Sequence, residues 1–209
     1  MPDAGPLVLG FDTSAAHCAA AVVSGEGVLG DGARVQVLAC RTVPMSRGQA
    51  EALIPLLEAV LREAGVDWPA LSAIGVGVGP GNFTGIRISV AAARGLALAL
   101  KVPAIGVTAT EAAAAGHPRP CRAVVPLRGD EVVWEDFGAE AGVGPALARA
   151  GTLPPGPAAL TPRWPLPVGI ALVAAGRLSH GAPLPRPAPL YLRPADAAPP
   201  RDAPPVLLA

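Results

Sequence analysis

The chain has 209 residues, 51% hydrophobic and only 3% aromatic, enough apolar surface for one large domain or two small lobes with cores of Ala, Val and Leu. Sixteen basic residues balance sixteen acidic ones, which argues against a surface specialised for nucleic-acid phosphates. Cys18, Cys40 and Cys121 are widely spaced and form no Cys-x-x-Cys, which argues against a disulfide framework or zinc site and fits a reducing compartment.

In chain order, the first six residues lack the basic start of a signal peptide. Apolar runs at 7–11, 19–23 and 35–43 predict three antiparallel strands, with turns at 13–17 and 25–32. Residues 47–64 carry Ala50, Leu53, Ile54, Leu57, Val60, Leu61 and Ala64 at helical spacing, with Glu58 and Arg62 as an i,i+4 pair. Pro55 lacks an N–H and predicts a kink or restart there. Residues 72–78 read as a buried strand, and 86–100, rich in Ala and Leu, as a helix. Arg87 and Arg94 interrupt that helix, and no run reaches the roughly 20 apolar residues needed to cross a bilayer. A strand at 104–108 and a short helix at 110–115 follow. The character changes near residues 116–120. A hairpin is predicted from 123–127 and 132–137, with Arg128-Gly129-Asp130 in its turn. More than half of the 26 prolines lie beyond residue 150, predicting a loop-rich second half without long helices. The expected division is a first lobe at 1–116 and a reduced, proline-rich second lobe and tail at 117–209.

Between the strand and the long helix stands Gly79-Pro80-Gly81-Asn82-Phe83-Thr84-Gly85. Its glycines imply positive φ and close backbone approach, and Asn82 or Thr84 can cap the helix. The first-turn N–H groups then make either an anion site or an unoccupied tight turn. The Gly-x-Gly-x-x-x-Gly spacing alone is weak. No Lys follows the last glycine, and the acid expected about 20 residues further on for a ribose is missing. Asp12-Thr13-Ser14, in the first turn, reads either as a phosphate-engaging turn or as an Asx turn bonding its own backbone. A phosphotransferase acting alone is the competing functional class. It needs a second acidic turn where Pro126-Leu127-Arg128 stands. His17, His117 and His180 are far apart, and no Gly-x-Ser-x-Gly elbow is present. No metal site or catalytic residue is expected.

The long helix carries Arg87, Arg94 and Lys101 seven apart, a narrow basic stripe on an otherwise apolar or small surface. Ala91, Gly95 and Ala99, four apart, make a small-residue ridge that admits another helix closely. A helix apolar over most of its circumference must be covered on more than one side, by its own domain or by a partner chain.

These residues resemble a known family. Gly79-Pro80-Gly81-Asn82-Phe83-Thr84-Gly85-Ile86-Arg87 is similar to the signature of the TsaB (YeaZ) family, which usually reads Gly-Pro-Gly-Ser-Phe-Thr-Gly-Leu-Arg. Leu9-Gly10-Phe11-Asp12-Thr13-Ser14, the stretch from Arg47-Gly48-Gln49 to Ile54-Pro55, Gly106-Val107-Thr108 and Pro189-Leu190-Tyr191-Leu192-Arg193 fit as well. The match is close from residue 7 to about 116 and thin until the last of these elements. The resemblance implies an α/β, actin-like (ribonuclease H-like) two-lobed fold, with mixed sheets flanked by helices and no independent catalysis. It implies a TsaD-type transferase subunit and a TsaE-type ATPase as partners, and tRNA engaged through the complex that makes N6-threonylcarbamoyladenosine beside the anticodon. Cytoplasmic location is expected, as is a homodimer when the chain is alone, and no membrane association. No cofactor is required of this chain, with ATP or ADP at the complex interface left open. The helices at 47–64 and 84–101 are then partner-facing, giving Leu53, Leu57, Arg87, Ala91, Arg94, Gly95 and Ala99 as interface candidates. Asp12, Thr13, Ser14, Gly81, Asn82 and Thr84 are the candidates for an anion or nucleotide. Two departures matter: Gln49 stands where the family commonly has His, and Pro126-Leu127-Arg128 replaces Asp-Ala-Arg.

Overall fold

A computed structural model describes residues 5–25, 35–138, 144–181 and 183–192. Strands β1 (Leu7–Asp12), β2 (His17–Ser24) and β3 (Gln36–Pro44) pair antiparallel, and β4 (Ala73–Gly77) and β5 (Ala104–Val107) extend the sheet in parallel from β1. The order is β3-β2-β1-β4-β5, so β1, β4 and β5 all end at one edge of the molecule. The predicted turn at 25–32 lies almost wholly outside the described residues; that at 13–17 is present.

Helices α1 (Gln49–Ala64) and α2 (Phe83–Leu100) cover one face of this sheet. Leu53, Leu57, Val60 and Leu61 of α1 and Ile86, Val90, Ala93 and Ala97 of α2 pack there with Leu9, Phe11, Ile74 and Val76. The helix continues through Pro55 without a restart. Pro55 is exposed, so the carbonyl left without its N–H partner lies on the solvent side.

The opposite face carries α3 (Ala109–Ala113) and α4 (Leu166–Ser179). A 14-residue helix in the proline-rich half corrects the expectation of loops alone. Prolines flank its start, where the missing N–H groups cost nothing, and 168–180 is free of them. Nine of the 14 α4 residues are buried, against the sheet on one side and α3 on another. Small residues permit this: a Cβ at Gly10 would meet Pro167 O at 2.5 Å, one at Gly75 would meet Ala174 at 2.9 Å, and one at Gly169 would strike the Ala112 carbonyl. The expected division at residue 116 is corrected accordingly, since α4 completes the core of the first sheet.

A second sheet, β6 (Cys121–Pro126), β7 (Glu131–Phe137) and β8 (Ala146–Arg149), is antiparallel, with the predicted Arg128-Gly129-Asp130 turn between β6 and β7. Its buried Arg122 makes two hydrogen bonds of 2.6 Å to the Asp136 carboxylate and donates to the carbonyls of Pro154 and Pro155, fixing the following loop. After α4, the extended segment 183–192 returns to the first sheet. There the Leu190 N–H donates to Val78 O (2.8 Å) and Pro187 fills the space above Gly106.

Candidate functional site

The carboxyl ends of β1 and β4 bring the two sequence motifs together. Asp12 forms an Asx turn: its Oδ1 accepts from the Ser14 N–H (2.8 Å) and hydroxyl (3.0 Å), and lies 3.1 Å from His17 Nε2. Asp12, Thr13 and Ser14 are all buried. The glycine loop closes onto this turn. A Cβ at Gly77 would collide with the Asp12 carboxylate, one at Gly81 with the Ser14 carbonyl and one at Gly85 with the Thr13 carbonyl. The Asn82 N–H donates to Ser14 O (2.6 Å) and the Thr13 hydroxyl to Gly85 O (2.7 Å). Asn82 caps α2 by accepting from the Gly85 N–H at 3.0 Å.

Asp12, Thr13, Ser14, Gly81 and Asn82 therefore do converge, and within the cluster Asp12 Oδ1, the Thr13 and Ser14 hydroxyls and the Asn82 and Gly85 N–H groups are engaged with one another. The glycines serve a close approach between two backbone turns. Thr84, exposed on the first turn of α2, stands outside that network. Ser89 is a residue the sequence reading missed; its buried hydroxyl donates to the Ile86 carbonyl (3.1 Å) and toward Gly77 O (3.3 Å), joining α2 to β4.

The interface candidates divide differently. Leu53 and Leu57 are 1% and 0% exposed in the core beneath α1, so they cannot face a partner; the helical period was right but the face was misassigned. Ile54, 40% exposed, is on the outer face. On α2, Arg87, Ala91, Arg94, Gly95 and Ala99 are all exposed, and Leu98 is 82% exposed. A Cβ at Gly95 would meet nothing within 4 Å. Helix α2 is long and apolar enough to span a membrane by length and composition alone. Its inner face lies on the sheet, and among the described residues nothing covers its outer ridge.

At the start of α2, Phe83 and Tyr191 stack with centroids 4.9 Å apart, and the Arg87 guanidinium sits 3.8 Å above the Phe83 ring. Arg87 Nε donates to the Tyr191 hydroxyl at 2.9 Å. Arg87, Arg94, Val90, Ala91 and Pro189 line a shallow groove beside this cluster. Tyr191 was legible only as part of a motif; nothing in the sequence set it against Phe83.

Gln49 Nε2 donates to the Met45 carbonyl (3.3 Å), bracing the entry to α1. Among the described residues no three His, Cys, Asp or Glu side chains are grouped to hold a metal ion. Cys18, buried with Asp12 near it, has its thiol pushed up to about 11, chiefly by burial, and stays protonated at neutral pH.

Residues 43–126 match the family model described as TsaD, tRNA N6-adenosine threonylcarbamoyltransferase. Among solved structures, YeaZ from Pseudomonas aeruginosa is similar at 25% identity and a TM-score of 0.65, covering 90% of this chain and 100% of that one. A structure described as an uncharacterized protein with similarity to peptidase YEAZ, from Pseudomonas aeruginosa, is similar at 26% identity and a TM-score of 0.64 over the same shares. No curated protein matches the sequence. The likeness carries the actin-like, ribonuclease H-like architecture, a mixed sheet flanked by helices with a second small sheet.

Proposed function

From its likeness to YeaZ over 90% of the chain and the TsaD family match over residues 43–126, we propose that the chain is a YeaZ (TsaB)-type protein, the non-catalytic partner subunit of the complex that makes N6-threonylcarbamoyladenosine in tRNA. It docks on and activates the TsaD-type transferase subunit, and meets the TsaE-type ATPase and tRNA within that cytoplasmic complex. The observation that carries this reading is the outer face of α2. An 18-residue apolar helix leaves Ala91, Gly95, Leu98 and Ala99 uncovered by the described residues. A ridge of small residues with a bare Leu beside it suits a closely packed partner helix.

The glycine loop supports a scaffold role over catalysis by this chain. The Asn82 N–H bonds the Ser14 carbonyl and the Thr13 hydroxyl bonds the Gly85 carbonyl, ties that stiffen the start of α2 and support a fixed angle for the ridge. The β6–β7 turn, where a phosphotransferase would need its second acidic turn, begins with exposed Arg128.

Affinity co-purification with the organism's TsaD-type subunit tests the proposal. Wild type is expected to co-purify. Gly95→Leu should fold as wild type does, because its site is open, yet lose partner binding by roughly tenfold or more as the helices are forced apart. Equal capture by both chains, or by neither, overturns the docking assignment. Sustained ATP turnover by the purified chain alone would favour the phosphotransferase class instead.

A further inference from the structure

Helix α2 contains two cations, Arg87 and Arg94, and no acidic residue, and Lys101 stands at its C-cap. A step of seven drifts by only about 20° around a helix, so the two arginines share one stripe. All three are exposed, and none has an ion-pair partner among the described residues. Elsewhere Arg41 pairs with Glu63 at 2.7 Å and Arg122 with Asp136 at 2.6 Å. The unpaired stripe runs along the same exposed face as the small-residue ridge.

Arg87 is also held in place. Its Nε donates to the Tyr191 hydroxyl and its guanidinium lies on the Phe83 ring, while its two terminal nitrogens make no hydrogen bond among the described residues. These nitrogens and those of Arg94 border a groove floored by Val90 and Ala91 and walled by Pro189. Two guanidinium groups over an apolar floor form a receptor for a carboxylate, which accepts charge-assisted hydrogen bonds there with less competition from water. A second copy of this chain is a poor occupant through α2 itself. An antiparallel contact centred on Arg94 would set Arg87 against Lys101, like charge on like.

We propose that this groove receives acidic side chains of the TsaD-type partner, and that Tyr191 is a positioning residue that orients Arg87 toward them. The inference rests on the partner-subunit reading above and assigns the chemistry by which that partner is recognised: an acidic, apolar helix face. The strap that bears Tyr191 thereby becomes part of the docking surface.

The test measures the affinity of the full chain for its TsaD-type subunit at about 50 mM and about 500 mM salt. Wild-type affinity should fall as salt rises. Arg94→Glu should weaken binding about tenfold or more at low salt and flatten the salt dependence. Tyr191→Phe keeps the ring stack but removes the acceptor for Arg87, so a loss of about threefold with a shallower salt slope is expected. Arg128→Glu, an equal charge change on the second sheet, should bind as wild type does. Thermal unfolding checks that each variant is folded. Binding within twofold of wild type by both Arg94→Glu and Tyr191→Phe, or affinity independent of salt, overturns this inference and leaves the proposed function standing. A wild-type chain that does not bind the subunit at all removes both. Self-association that Arg94→Glu abolishes would place a second copy in the groove and equally overturn the assignment.

Discussion

Gly85 lies where α2 crosses the turn between β1 and β2, and a Cβ there would fall on the Thr13 carbonyl. Ten residues on, Gly95 faces open space. The same substitution should therefore act in opposite directions at the two sites. Gly85→Ala should destabilise the chain by about 1–3 kcal/mol, because backbone must move to admit the methyl group. Gly95→Ala should stabilise it by up to about 1 kcal/mol through helix propensity alone. Denaturant midpoints for the two variants decide the matter; equal shifts would contradict the packing described. The sequence made both glycines conspicuous, one within a loop motif and one within a ridge. It did not disclose what the loop glycines approach, because the Asp12 turn and Gly85 are brought together only by the parallel pairing of β1 with β4.

Where α3 meets the second sheet, the elements are joined by polar groups. Thr108 and Glu111 form a capping box at the start of α3, Glu111 also pairs with Arg177 of α4, and the Thr110 hydroxyl donates to Glu135 of β7. Burial pushes the Glu135 carboxyl above its ordinary value of 4.5; the Thr110 hydrogen bond and, more weakly, Arg119 and Arg177 oppose this, while Glu111 adds to it. The folded chain thus holds the Glu135 proton more tightly than the unfolded chain. Its contribution to stability is full below about pH 4.5 and is lost as pH rises through the elevated folded value. Glu135→Gln, which keeps an acceptor for Thr110, should make the chain more stable than wild type at neutral pH, with the gap narrowing on acidification. Thermal melts at a series of pH values from below the ordinary carboxylate range up to neutrality would show it; a constant gap would contradict it. The elements themselves differ in how plainly the sequence marks them. The strands and α1 stand out through alternation and helical spacing, whereas α4 does not, being apolar on all sides and surrounded by prolines. Its Ala and Gly content reflects close packing on Gly10 and Gly75, a relation between distant segments that periodicity does not record.

At the scale of the whole molecule, the first sheet is enclosed by helices from both halves of the chain. Val168, Ile170 and Val173 of α4 contribute roughly 1.5–3 kcal/mol each by burial, against a total stability of about 5–15 kcal/mol for a typical domain. A chain ending at residue 138 keeps all five strands of the first sheet but exposes Val8, Val23, Ile105 and Val107. It should show no cooperative unfolding transition and should aggregate; a sigmoidal melt near the wild-type midpoint would contradict the role given to α4. The segment after α4 extends the same interdependence to the surface. The Arg87–Tyr191 hydrogen bond joins residues 104 positions apart, and Pro189 forms one wall of the groove on α2. During synthesis, α2 emerges well before Pro189 and Tyr191, so its outer groove gains that wall and that hydrogen bond only once the segment after α4 has folded back. For the docking role proposed for this groove, the consequence is an order of events: the subunit closes on itself first and is recognised second.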